Sequence, residues 1–277
     1  MDFDLISMDP MLWAMILVVG IIAGVINTIV GGGTLLILPL LIEVVEIPPH
    51  LANGTNRICV AVQAAVALWV LSRGSKKPGE ANPPPILEAM PWKLAVIVGL
   101  SALPGAYLAS VLEPEELRRA LGLFVLVAVS VFMFSESAKT TKESPRDSSK
   151  LKPPDTRGFR GIGLVIASVG CGLYGGFVGA GIGAFIILMF TATGVELERA
   201  VRWKVFLVWL LSTVAGVYYF GVGNFSLSIA IPLVVAYALG GYLGGRLIVR
   251  GSNNWLRPLV GVISATLALL MLFGDPK

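Results

Sequence analysis

Two clusters of glycine interrupt apolar stretches of this chain, and each is followed by a short apolar run. The first is Gly31-Gly32-Gly33-Thr34; the second is Gly179-Ala180-Gly181-Ile182-Gly183, with Gly175 and Gly176 just ahead of it. A helix that restarts after such a break exposes its first N–H groups and a partial positive charge, and glycine lets an anion approach that backbone closely. A second polar group, Asn53-Gly54-Thr55-Asn56-Arg57, has a counterpart in Arg202-Trp203-Lys204. Both stand where long apolar runs begin, so Thr55, Asn56 or Lys204 could donate to an oxyanion while Arg57 and Lys204 complement its charge. Asn27 and Thr28, beside the first break, could line the same cavity. This pattern suits recognition of a small anion rather than bond-making. No nucleophile paired with a base and no metal-ligand cluster is evident, so no enzyme activity, cofactor or metal is expected.

Each of these residues also has a plainer reading. Glycines in membrane helices commonly serve close packing, which suits Gly20 with Gly24, Gly172 with Gly176, and the group Gly240, Gly241, Gly244 and Gly245. Arg57 and Lys204 could snorkel to the membrane surface. Asn27 and Thr28 could bond backbone groups between helices. His50, beside two prolines, and Glu43 and Glu46, near a helix end, are expected to face water.

The elements that must position these groups are membrane helices. Of the 277 residues 56% are hydrophobic and only 14% charged, against about 25% charged in an ordinary soluble domain. Apolar runs recur at 11–30, 35–45, 58–72, 92–111, 117–134, 161–178, 184–193, 205–220, 227–249 and 256–273, and a membrane helix needs about 20 residues. The first follows Asp2, Asp4 and Asp9 and lacks the basic flank of a signal peptide, so it is expected to be retained. The net charge of +4 lies in short loops between apolar runs, where it sets orientation in the bilayer. Nucleic acid is therefore not an expected partner. Cys59 and Cys171 lie within apolar runs and read as small buried hydrophobes.

The polar stretch 135–160 has the composition of a linker and divides the chain into halves, 1–134 and 161–277. The stretch 73–91, with Pro83, Pro84 and Pro85, reads as an exposed connection. The halves repeat each other: the run from Gly24 to Gly33 aligns with that from Gly172 to Gly181, and the same offset brings Ala52 onto Ala200 and Asn56 onto Lys204. If each half makes an odd number of crossings with the N-terminus outside, nearly every Lys and Arg falls on the inner side. Only Arg57, Arg118, Arg119 and Lys277 lie outside, and the positive-inside rule prefers this to two parallel halves. The expected fold is an all-α polytopic membrane protein of two inverted repeats, each of about five helical segments, with the linker cytoplasmic. Many secondary transporters are built on this plan.

The run 35–45 reaches roughly 16 Å as a helix, about half the hydrocarbon thickness, and 184–193 is as short. Each glycine break is therefore expected deep in the membrane, where irregular backbone must face protein or a water-filled cavity. Two such breaks related by the repeat would converge on one anion site; whether the short runs span or turn back, the parity is the same. The stretch Asn27-Thr-Ile-Val-Gly-Gly-Gly33, with Pro39, Gly54-Thr-Asn-Arg57, Gly175-Gly-Phe-Val-Gly-Ala-Gly-Ile-Gly183, Ala200 and Lys204, resembles the TauE/SafE sulfite-exporter family over nearly the whole chain. The resemblance implies a multi-pass protein of the cytoplasmic membrane that exports sulfite, sulfoacetate or a related organosulfonate. An uptake transporter or a channel for another small anion is the alternative. The partners implied are the small anion, the lipid bilayer and, at most, a second copy in a homodimer.

Overall fold

The computed structural model describes residues 10–73, 90–134 and 158–250, with residues 266, 268, 269, 272 and 273 beyond them. Most of the proline-rich connection at 73–91, the linker at 135–160 up to residue 157, and most of the final run at 256–273 lie outside the described residues. Among those described, every regular element is helical. α1 is Pro10–Ile29, α2 is Gly33–Pro39, α3 is Pro49–Arg73, α4 is Trp92–Val111, α5 is Pro114–Phe134, α6 is Gly158–Phe177, α7 is Ile182–Thr191, α8 is Leu197–Gly221 and α9 is Leu227–Arg250.

Five of these, α1, α3, α4, α8 and α9, are long and apolar enough to cross a membrane. Their outer faces are greasy in helical register. On α9, Leu227, Ile231, Val235, Leu239, Leu243 and Leu247 form one exposed stripe, while Ala236, Tyr237 and Gly240 on another face are packed inside. Water would penalise such a surface and lipid does not.

α2 is different. All its residues are buried, and at Pro39 it widens into a π-helical turn, Leu40–Val44. Proline lacks the N–H that would continue the ordinary ladder, and the Val45 N–H reaches back to the Leu40 carbonyl at 3.1 Å. The short segment is thus enclosed by protein, as irregular backbone must be at membrane depth.

Helix directions follow from the contacts. Gly20 lies on Ala236, Gly24 on Gly240 and Gly244 on Thr28, so α1 and α9 run parallel. Asn56 with Tyr237, Gly241 with Gln63 and Gly245 with Val70 make α3 and α9 parallel too. On the other side, Gly172 meets Ser101 and Gly176 meets Ala102, which aligns α6 with α4, and Gly99 on Leu210 with Trp92 on Phe206 aligns α4 with α8. α3 and α8 cross antiparallel, Gly54 against Tyr219 and Ile58 against Gly216. Small residues let the backbones approach closely enough for dispersion to hold helices together where lipid supplies no hydrophobic drive.

Several expectations are corrected. α3 begins at Pro49, far ahead of residue 58, because proline at the first helical position loses nothing by lacking an N–H. α8 likewise begins at Leu197 rather than 205. Asn53–Arg57, Trp203 and Lys204 therefore lie within helices, where partners on other helices, not water, receive their polar groups. His50 sits in the first turn of α3 with a ring nitrogen 3.0 Å from the Leu112 carbonyl. Glu43 does not simply face water: its carboxylate takes Arg118 Nε at 2.8 Å and Nη2 at 2.9 Å, tying the end of the α2 segment to α5. Both cysteines are buried and free.

The glycine seams give a direct test. A side chain at Gly240 would meet Gly24 Cα at 2.7 Å and the Ile21 carbonyl at 2.6 Å, whereas nothing lies within 4 Å of a Cβ at Gly163. Gly240→Ile is expected to cost roughly 1–3 kcal/mol by overpacking, and Gly163→Ala to gain up to about 1 kcal/mol from helix propensity. Thermal unfolding in detergent measures both.

Candidate functional site

The two helix breaks close in the same way. At the end of α1, the Val30 and Gly31 amides both donate to the Ile26 carbonyl, at 2.9 and 3.1 Å; at the end of α6, the Val178 and Gly179 amides both donate to the Tyr174 carbonyl, at 3.0 and 2.9 Å. Gly31 then turns the chain with φ +92°, and Gly179 with φ +61°. Both lie in the left-handed region that only glycine enters without strain. After the second break, Gly181 at φ +73° opens α7, and no side chain caps either α2 or α7.

The breaks meet. Gly31 and Gly183 lie backbone against backbone, so that a Cβ on either would overlap the other. Gly33 is as tightly held against the Ala23 carbonyl of α1. No space remains between Gly31 and Gly183 for an ion, so the arrangement is a closed one.

Around this junction the long helices supply polar side chains. Lys204 of α8, only 1% exposed, donates from Nζ to the Asn27 carbonyl at 3.2 Å and the Thr28 carbonyl at 2.5 Å, and its stem lies against Gly183. It does not snorkel. Its charge rests on the carbonyl end of α1, where a helix carries partial negative charge. Asn56 of α3 bridges two elements, its Nδ2 3.5 Å from Thr34 Oγ1 on α2 and its Oδ1 accepting from the Tyr237 hydroxyl at 3.0 Å. Asn27 donates to Gln63 at 2.5 Å, Gln63 donates to the Thr28 hydroxyl at 2.5 Å, and that hydroxyl donates to the Gly24 carbonyl. At the second break, Tyr219 donates to the Gly176 carbonyl at 3.0 Å, Asn53 to the Phe177 carbonyl at 2.8 Å, and Tyr174 to the Ala180 carbonyl at 2.5 Å.

Arg57 also departs from the snorkelling alternative. It is 1% exposed, and its guanidinium fills the space that a side chain at Gly179 would need. Its Nε and Nη2 have no hydrogen-bond partner.

The structure thus gathers Asn27, Thr28, Gly31, Gly32, Gly33, Thr34, Asn56, Arg57, Gly179, Gly181, Gly183 and Lys204 around or beside one junction. Others are engaged elsewhere. The Thr55 hydroxyl accepts the Ser226 amide at 3.0 Å just before α9. Gly175 packs on Leu211 and Gly176 on Ala102. Trp203 is edge-on to Phe190 at 5.0 Å. Gln63, Tyr174, Tyr219 and Tyr237 join the polar network without having been singled out in the sequence. Gln63 carried a signal, being a lone amide in an apolar run; the tyrosines carried none.

Two substitutions test the network. Gln63→Leu strands Asn27 Nδ2 in the interior and is expected to cost about 1–3 kcal/mol. Gly31→Ala adds left-handed strain of about 1–2 kcal/mol to a backbone collision, and is expected to lower the unfolding temperature more than Gly163→Ala raises it. Melting in the same detergent compares them.

Comparison with known proteins gives this geometry a context. The "Probable membrane transporter protein YfcA" of Escherichia coli (strain K12) is 24% identical over 98% of this chain and 94% of its own length. The "Probable membrane transporter protein ORF9" of a Sinorhizobium species is 27% identical over 96% and 94%, and a "Probable membrane transporter protein" of Haemophilus influenzae is 22% identical over 95% and 96%. No solved structure matches. The family model described as "Sulfite exporter TauE/SafE" matches residues 16–271, across both breaks and both long crossing helices. With five helices among the described residues fit to cross a bilayer, the chain is a multi-pass membrane transporter and belongs to the TauE/SafE sulfite exporter family.

Proposed function

We propose that the chain exports a small sulfur oxyanion, sulfite or an organosulfonate such as sulfoacetate, across the cytoplasmic membrane by alternating access. The observation that carries this reading is the contact of Gly31 with Gly183, which brings two similarly built breaks from opposite halves of the chain to one place. Residues 1–134 and 161–277 are read as inverted repeats joined by a cytoplasmic linker, with the N-terminus outside. The antiparallel crossing of α3 and α8, the corresponding long helices, supports the inversion. So does the packing of α1 on α9 and of α6 on α4, in which the opening helix of each half lies on the fourth helix of the other.

In the transport cycle the closed junction parts on one side at a time. Parting Gly31 from Gly183 uncovers the uncapped start of α7 and the groups that hold the junction shut, among them Thr34, Asn56 and Lys204. An oxyanion then replaces the internal acceptors of those donors, and charged donors give the stronger hydrogen bonds. The membrane potential favours this direction of travel. With the inside negative, outward movement of one negative charge across 100 mV releases about 2.3 kcal/mol, so export needs no coupled ion.

Flux of labelled sulfite and sulfoacetate through vesicles of known orientation, with the potential clamped at either sign, tests the reading. Outward flux is expected to saturate with concentration. Asn56→Ala and Lys204→Ala are each expected to slow it roughly 10- to 100-fold, the equivalent of losing one charge-assisted hydrogen bond. Non-saturating flux through the parent protein would instead identify a channel, and saturating inward flux an uptake system. Unchanged rates in both variants would remove them from the site.

A further inference from the structure

The two breaks are served by cations in opposite ways. At the first, Lys204 spends two of its three donors on the carbonyls of Asn27 and Thr28. At the second, the Gly176, Phe177 and Ala180 carbonyls that could have received a guanidinium are taken by Tyr219, Asn53 and Tyr174. Arg57 is left with Nε and Nη2 unpartnered while its guanidinium lies on Gly179, at the break that leads into the uncapped N-terminus of α7. Among the described residues no carboxylate pairs with it; Glu43, the nearest analogue of a buried acid, is held by Arg118. A charge buried in this way, at 1% exposure, is tolerated in a membrane protein where something supplies the missing counter-charge.

We infer that Arg57 is the principal ligand of the transported anion, and that it selects anions presenting two oxygens side by side. This rests on the anion-transport reading above and sharpens it. The guanidinium is a rigid planar fork whose parallel N–H groups match a pair of oxygens on one sulfonate, sulfite or carboxylate, which a spherical ion cannot offer. The α7 N-terminus adds partial positive charge on the same side. Lys204, by contrast, is already bonded in the closed junction, to the Asn27 and Thr28 carbonyls, and is freed to donate to the anion only as the junction parts. It holds the end of α1 in place and so fixes Gly31 against Gly183.

The role of Arg57 separates cleanly from a structural one, because a residue kept for packing stabilises the empty protein and an unpaired charge does not. Arg57→Met is expected to melt higher than the parent in the absence of anion and to lose the thermal shift that sulfite gives the parent. Arg57→Lys keeps the charge without the fork. In titration calorimetry of the full chain in nanodiscs it is expected to bind sulfite and methanesulfonate at least tenfold more weakly than the parent, with chloride affected less than threefold. If Arg57→Met retains the sulfite shift, or Arg57→Lys binds sulfite as the parent does, Arg57 is not the ligand although transport of the anion stands. An equal loss of chloride and sulfite in Arg57→Lys overturns the selection by paired oxygens. Failure of the parent itself to bind either sulfur oxyanion overturns the transport reading and this inference with it.

Discussion

Backbone that leaves a helix inside a membrane has amides and carbonyls with no ladder partners and no water to turn to. Both glycine breaks of this chain leave a helix inside the bundle, and both are buried against the other. Gly31 seats on Gly183 because neither carries a side chain, and the carbonyls released at the two helix ends are taken by Lys204, Asn53, Tyr219 and Tyr174. Remove the contact and those groups lose the enclosure that makes their bonds worth forming. The short α2, buried along its whole length, exists on the same terms: it would be untenable against lipid with its π-helical turn.

The long helices are arranged to deliver those partners. α3 and α8 cross antiparallel, which sets Asn53, Asn56 and Arg57 on one and Lys204 and Tyr219 on the other around one region. Each reaches the break of the opposite half, Lys204 to α1 and Arg57 to Gly179. Glycine and alanine seams between α1 and α9 and between α4 and α6 bind the halves into one body. Along the crossing, Ile58, Ala61, Ser212, Gly216 and Phe220 among others line a half-open groove of about 250 Å³, with Phe220 exposed on its rim.

Much of this was legible in the sequence, for identifiable reasons. Glycine runs followed by runs too short to span mark a broken helix whatever surrounds them, and the ends of α1 and α4 fell within a residue of expectation, those of α6 within three. The approach of the two breaks followed from their matched places in the chain. What the sequence concealed depends on partners far away along it. Asn53–Arg57 looked like a helix start because their polarity ended an apolar run, yet the acceptors that hold Asn53 within α3 belong to α6 and α8. Arg57 and Lys204 could be read as oxyanion ligands or as interfacial anchors; only the folded chain shows that Lys204 has carbonyl partners and that Arg57 has two donors with none. Glu43 looked solvated because Arg118, its partner, lies on another helix. Tyrosine in a membrane helix is so ordinary that Tyr174, Tyr219 and Tyr237 could not be told from packing residues.

The central claim is that the junction of the two breaks is closed at rest and opens to each side in turn. Thr34 sits in that junction, 1% exposed and opposite Asn56. A cysteine at this position, in a background with Cys59 and Cys171 replaced, reports its accessibility through labelling by a membrane-impermeant thiol reagent added to one face of sealed vesicles at a time. Slow labelling from both faces without substrate, and faster labelling from both during sulfite transport, is the expected result. Labelling from one face alone, or rates indifferent to sulfite, would contradict it.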